Sequence, residues 1–125
     1  MKRKVLSVGQ CMADHGSIRR LIETSFDAEL VAAHSLDDAL AHLRQEPFAL
    51  VLVNRKLDAD YSDGLEVIRA IKQDDALKVV PTMMVTNYAE HQQTAVAAGA
   101  EPGFGKSQLT MPQTTESLGR FLDRR

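Results

Sequence analysis

The sequence predicts an α/β fold, a doubly wound parallel sheet of five strands with five helices. Three observations carry the prediction. Short β-branched or wholly apolar runs alternate with segments whose apolar residues recur at helical spacing. The run Phe48-Ala49-Leu50-Val51-Leu52-Val53 is apolar at every position, as a central parallel strand covered on both faces requires. With 125 residues, 44% of them hydrophobic and 26% charged, the chain is large enough for one domain, residues 1–125, with its own core.

The elements follow in order. Val5-Leu6-Ser7-Val8 is a short buried strand stopped by Gly9. Asp14 is placed to cap a first helix, whose apolar positions are Ile18, Leu21, Ile22 and Phe26. Leu30-Val31-Ala32-Ala33 is the second strand. Ser35 caps a second helix with Asp37 and Asp38 in its first turn, where the helix dipole favours anions. After the central strand comes a polar loop, Asn54 to Asp63, and a third helix marked by Leu65, Val67, Ile68 and Ile71. Pro81 opens the fourth strand, Thr82-Met83-Met84-Val85-Thr86, at a position where proline is tolerated. The alanine-rich stretch Ala89 to Ala98 is a fourth helix stopped by Gly99. Pro102-Gly103-Phe104-Gly105 is a weak fifth strand, and Pro112 starts a last helix that turns Leu118, Phe121 and Leu122 inward.

Composition removes several function classes. Fifteen basic and 17 acidic residues give a net charge of −2, which excludes a globally basic nucleic-acid binder. The lone cysteine, Cys11, excludes an internal disulfide and a cysteine-rich zinc site, and a reduced cytoplasmic setting is expected. The start, Met1-Lys2-Arg3-Lys4, is basic, and Lys2-Arg3-Lys4 reads as a solvated terminus. The apolar run after it is too short for a signal peptide or a membrane span. His15, His34, His42 and His91 lack ligand spacing, so no metal site is expected. Gly103 to Ser107 ends like a phosphate-binding loop but has Ala100 where the first glycine belongs. Asp58 to Arg69 fails the calcium-loop pattern at its glycine and its glutamate.

In a doubly wound sheet the functional crevice lies beyond the carboxyl ends of the strands. That selects Gly9-Gln10, Asn54, Thr86-Asn87 and Lys106-Ser107. At these positions, and in Asp63-Gly64-Leu65-Glu66-Val67-Ile68, Val80-Pro81-Thr82-Met83-Met84-Val85-Thr86 and Ala98-Gly99-Ala100-Glu101 leading to Phe104-Gly105-Lys106, the chain resembles the receiver domains of two-component response regulators. The resemblance spans nearly the whole chain and implies a flavodoxin-like fold with receiver topology. It also implies a phosphoryl-accepting aspartate after the third strand and an acidic pair for Mg²⁺ after the first. A hydroxyl, a switch aromatic and a lysine complete the set.

Half of that set is present. Thr86 matches the hydroxyl, Phe104 the aromatic and Lys106 the lysine, whereas Asn54 stands at the acceptor position and Gly9 and Gln10 at the acidic pair. The Asn54–Asp63 loop is about two residues longer than the family pattern, and Ser107 replaces the usual proline. Asparagine has no anionic oxygen with which to attack a phosphodonor, and Mg²⁺ prefers anionic oxygen ligands. The resemblance therefore implies a pseudo-receiver without phosphorylation, cofactor or catalysis. Such a domain would dock a signalling protein through the face made by the fourth helix, fifth strand and fifth helix. The alternative is phosphorylation at Asp58, Asp60 or Asp63 of the longer loop. Each retained residue also has a plain structural reading: Thr86 as a strand-end hydroxyl bonding backbone, Phe104 as a core aromatic and Cys11 as a half-buried thiol. Lys106, deprived of its carboxylate cluster, is expected to pair with Asp58 or Asp60, with Lys56 competing. Asn54→Asp alone should restore little labelling, and adding Gly9→Asp and Gln10→Asp should restore more.

Overall fold

The computed structural model describes residues 2–125; Met1, the first residue of the basic start, lies outside them. The elements run β1 (Arg3–Val8), α1 (Met12–Ser25), β2 (Ala28–Ala33), α2 (Leu36–Gln45), β3 (Leu50–Asn54), α3 (Gly64–Gln73), β4 (Thr82–Val85), α4 (Ala89–Ala97), β5 (Glu101–Phe104), a 3-10 turn at Lys106–Gln108, and α5 (Pro112–Leu118). The five strands pair in parallel in the order β2-β1-β3-β4-β5. This is the doubly wound sheet that the sequence predicts. Among the described residues no helix is long and apolar enough to cross a membrane.

Strand alternation splits the core into two layers. Val5, Leu50, Leu52, Met83, Val85 and Phe104 point to the side covered by α1 and α5, where they meet Ile18, Ile22, Phe26, Leu118 and Leu122. Leu6, Val8, Val51, Val53 and Met84 point to the other side, against Leu43, Val67, Ile68, Ile71 and Ala95 of α2, α3 and α4. The helices thus have assigned layers, and this partition decides which side chains can meet at the strand ends.

Local details depart from the sequence reading in four places. The cap of α1 is Cys11, whose Sγ accepts the Asp14 N–H at 3.4 Å; Asp14 lies in the first turn, leaving its carboxylate free to reach outward. Arg3 stays exposed as expected, but Arg3 and Lys4 are not a loose tail. They open β1, with Arg3 on Asp123 at 3.1 Å and Lys4 between Glu46 and Glu29. The central strand starts at Leu50, although Phe48 ahead of it is still buried. α5 ends at Leu118, and Leu122 enters the core from the turn beyond it.

The α4–β5 edge has an unforeseen anchor. Only Ala95 of α4 is buried, and Val96, its one large apolar residue, is half exposed. Between Met83 and Val85 the β4–β5 ladder slips, because three residue steps on β5 span two on β4. Gln92 repairs the slip. Its Nε2 donates to Met84 O at 2.9 Å, and its Oε1 accepts from Gly103 N at 2.9 Å. A polar side chain on α4 thereby completes the sheet edge, and the helix is held by hydrogen bonds where apolar burial is scarce.

Candidate functional site

The positions singled out by the sequence lie at the carboxyl ends of the strands. Val8 pairs with Val53 and Asn54 with Val85, so Gly9 and Thr86 flank Asn54 on neighbouring strands. The structure joins these residues in two separate groups. Among the described residues no hydrogen bond or ion pair links Lys106 to Asn54 or Thr86.

The first group is a plugged pocket. Gly9 has φ +74, and a Cβ built there would lie 2.3 Å from Leu57 Cδ2 and 3.0 Å from Leu57 Cα. Leu57 is fully buried. The lengthened loop brings it there by folding back on itself: Leu57 N donates to Ser62 O at 2.9 Å, Tyr61 N donates to Leu57 O at 2.8 Å, and Asp58 N donates to Gly9 O at 2.9 Å. Tyr61 at the corner takes φ +60. Asn54 completes the closure, because its Nδ2 donates to Gly9 O at 3.2 Å and to Lys56 O at 2.7 Å. Behind it the chain passes so close that a Cβ on Gly64 would fall 2.0 Å from Asn54 O, which accounts for the glycine after Asp63. Gln10 is buried, and neither polar atom of its amide has a hydrogen-bond partner among the described residues.

These residues do not fit the Mg²⁺ that the fold family implies. Gly9 offers no side chain, Leu57 fills the space beside it, and Asn54 and Gln10 supply only neutral amide oxygens where Mg²⁺ prefers carboxylates. Among the described residues no three His, Cys, Asp or Glu side chains are grouped to hold a metal.

The second group is centred on Lys106, and here the expected loop pairing is corrected. Lys106 Nζ lies 2.7 Å from Asp14 Oδ2, not against Asp58 or Asp60. The layering supplies the reason. α1 and α5 share one side of the sheet, so the first turn of α1 faces the chain leaving β5. The loop with Asp58 and Asp60 leads instead to α3 on the other side. The loop acids are otherwise engaged: Asp60 accepts from the Ser62 hydroxyl and N–H, and Asp63 caps α3. The competing cation Lys56 lies over the Tyr61 ring at 5.9 Å. The Lys106 ammonium holds the Asp14 carboxyl below the ordinary carboxylate range, with Cys11 assisting.

A folded pKa below the unfolded one means that this pair stabilises the fold above the unfolded carboxylate value and ceases to do so as the pH falls through the folded one. With about a third of each side chain exposed, a double-mutant cycle on Lys106→Met and Asp14→Asn should give a coupling of about 0.5–1 kcal/mol at neutral pH. The coupling should fade below about pH 4. A coupling that persists unchanged in acid, or one that Lys106 shows with Asp58 instead, contradicts the pairing.

The remaining positions match their plain structural readings. Thr86 is buried, and its hydroxyl accepts the Tyr88 N–H at 3.3 Å. Phe104 is buried in the α1/α5 layer. Ser107, where family members carry proline, uses its N–H: both that group and its hydroxyl donate to Asn87 Oδ1 at 3.1 Å. A proline could not make the first of these bonds.

Comparison with known proteins agrees with this architecture. The chain is similar in fold to the chemotaxis response regulator CheY4 of Vibrio cholerae, at 22% identity and a TM-score of 0.74 over 98% of this chain and 100% of that one. It is similar to the phosphorylated cyanobacterial phytochrome response regulator RcpA, at 23% identity and 0.74 over 97% and 94%. A CheY-like receiver domain protein from Methanospirillum hungatei JF-1 matches at 23% identity and 0.70 over 96% and 90%. No curated protein matches the chain. The family model for the response regulator receiver domain matches residues 11–108. The chain therefore belongs to the response regulator receiver domain family, the signalling domains of two-component systems.

Proposed function

We propose that this receiver works without phosphorylation, as a protein-docking module of a cytoplasmic two-component pathway with no catalytic step of its own. Asn54 carries the reading. At the acceptor position stands an amide that donates to two backbone carbonyls and so ties the β1 and β3 loops together. Where an ordinary receiver has a nucleophile, this one has a structural hydrogen-bond donor. The buried Leu57 supports the same conclusion, because it closes on Gly9 where an acidic side chain would have to stand.

The docking face is assigned to α4, β5 and α5. Of the six exposed large hydrophobic residues among those described, Tyr88, Val96 and Met111 belong to these elements or their caps. Apolar groups of this kind anchor protein interfaces. The phosphorylation half of the proposal is tested by titrating Mg²⁺ to millimolar levels while recording amide resonances. Asn54, Thr86 and Lys106 should not move, and saturable shifts there would overturn it. The docking half is tested by Val96→Asp with Met111→Asp, which should abolish cross-linking to the partner in the host cell; full retention would place docking elsewhere.

A further inference from the structure

A groove of about 590 Å³ runs between α1 and the chain that follows β5. Asn54, Gln10 and Thr86 do not line it, so it is distinct from the plugged pocket and shares only Lys106 and Ser107 with the strand-end positions. Its lining is chemically one-sided. Arg20 and Lys106 are its charged groups, and no carboxylate side chain lines it, in a chain whose net charge is −2. Arg20 makes no ion pair or side-chain hydrogen bond among the described residues. Lys106 spends one of its three N–H donors on Asp14 and keeps two.

Six hydroxyl side chains also line the groove. Those of Ser25, Thr110 and Thr115 donate to no protein group among the described residues. Two leucines, Leu21 and Leu109, pack on the α1/α5 core and give the groove an apolar part. Two cations, free hydroxyl donors and an apolar patch, in a volume within the small-molecule range, describe a site for an anion on a hydrophobic carrier. Arginine and lysine with hydroxyls suit a phosphate, whose charge near neutral pH is about −1.5 to −2. The helix dipole orients the ligand. Ser25 lies at the C-terminal end of α1, the negative end of the helix dipole, and its carbonyl is already taken by the Arg125 N–H at 3.0 Å. The phosphate therefore belongs at the Lys106–Arg20 end, with the apolar body along Leu21 and Leu109.

We propose that this groove binds a small phosphomonoester with an apolar body, through Arg20 and Lys106. The inference does not depend on the docking reading, because it concerns a different surface. Asp14 acts as a competitor in this arrangement: its carboxylate occupies Lys106 until a phosphate draws the ammonium into the groove.

The test is an NMR titration of the intact chain with 1-naphthyl phosphate, with 1-naphthol and inorganic phosphate alongside. Saturable shifts are expected at Arg20, Leu21, Thr110 and Thr115 with the phosphomonoester, weaker ones with inorganic phosphate and none with naphthol. Arg20→Gln should weaken binding about fivefold or more, and Asp14→Asn, which releases Lys106, should tighten it. Absence of shifts at millimolar ligand, equal binding of naphthol, or unchanged affinity in Arg20→Gln would each overturn the proposal. Equal affinity for inorganic phosphate would overturn the role given to the apolar body.

Discussion

Gly9→Asp is expected to destabilise the domain by about 2–5 kcal/mol and to restore no phosphoryl acceptor, alone or with Gln10→Asp and Asn54→Asp. The left-handed backbone at Gly9, φ +74, costs most side-chain-bearing residues about 1–2 kcal/mol, and aspartate somewhat less. The new Cβ would also stand 2.3 Å from Leu57 Cδ2 and 3.0 Å from Leu57 Cα, so the loop backbone must move as well as a side chain. Gln10→Asp adds a carboxylate at a buried position, and Asn54→Asp sets a carboxylate oxygen against the Gly9 and Lys56 carbonyls. The stepwise repair that the residue types alone suggest thus meets a steric obstacle at Gly9. Urea denaturation of the single and triple variants measures the effect. A triple variant as stable as the parent, and labelled by a phosphodonor, would show that the loop opens at little cost.

Leu57→Ala should cost about 2–4 kcal/mol, as is usual when a fully buried leucine is truncated. The effect should be local in origin. Leu57 seals the loop onto Gly9, so amides from Asn54 to Asp63 should lose exchange protection while those of β1 and β3 keep theirs. A loss below about 1 kcal/mol would mean that the loop collapses into the vacated space and that Leu57 is not the plug. The variant also removes the obstacle at Gly9, so Leu57→Ala should make Gly9→Ala less damaging than in the parent. The two residues touch, and such pairs are not additive.

Much of this was legible from residue types. Continuous apolar runs mark β3 and β4, the helical spacing marks α1 to α3, and the strand ends select Asn54, Thr86 and Lys106. Three features were not legible, each for a physical reason. The partner of Lys106 depends on which helices share a layer, and chain distance says nothing of that. Asp14 is 92 positions away by numbering yet adjacent in space (106 minus 14). Leu57 was hidden in a loop read as polar, where a lone leucine was the one available signal of a buried contact. Gln92 lay in an alanine-rich helix as an unremarked polar residue, because its role depends on a slip in strand register that no local pattern encodes.

If the proposed loss of the acceptor is complete, no neighbouring acid takes the phosphoryl group in its place. Asp60 and Asp63 each use Oδ1 in turn and cap hydrogen bonds, and Asp58 sits on the same folded loop. Intact mass spectrometry after incubation with acetyl phosphate and Mg²⁺ tests this most directly, with peptide mapping of any adduct. The account predicts an unmodified mass at every time point. A phosphoryl adduct mapping to residues 54–63 would contradict it.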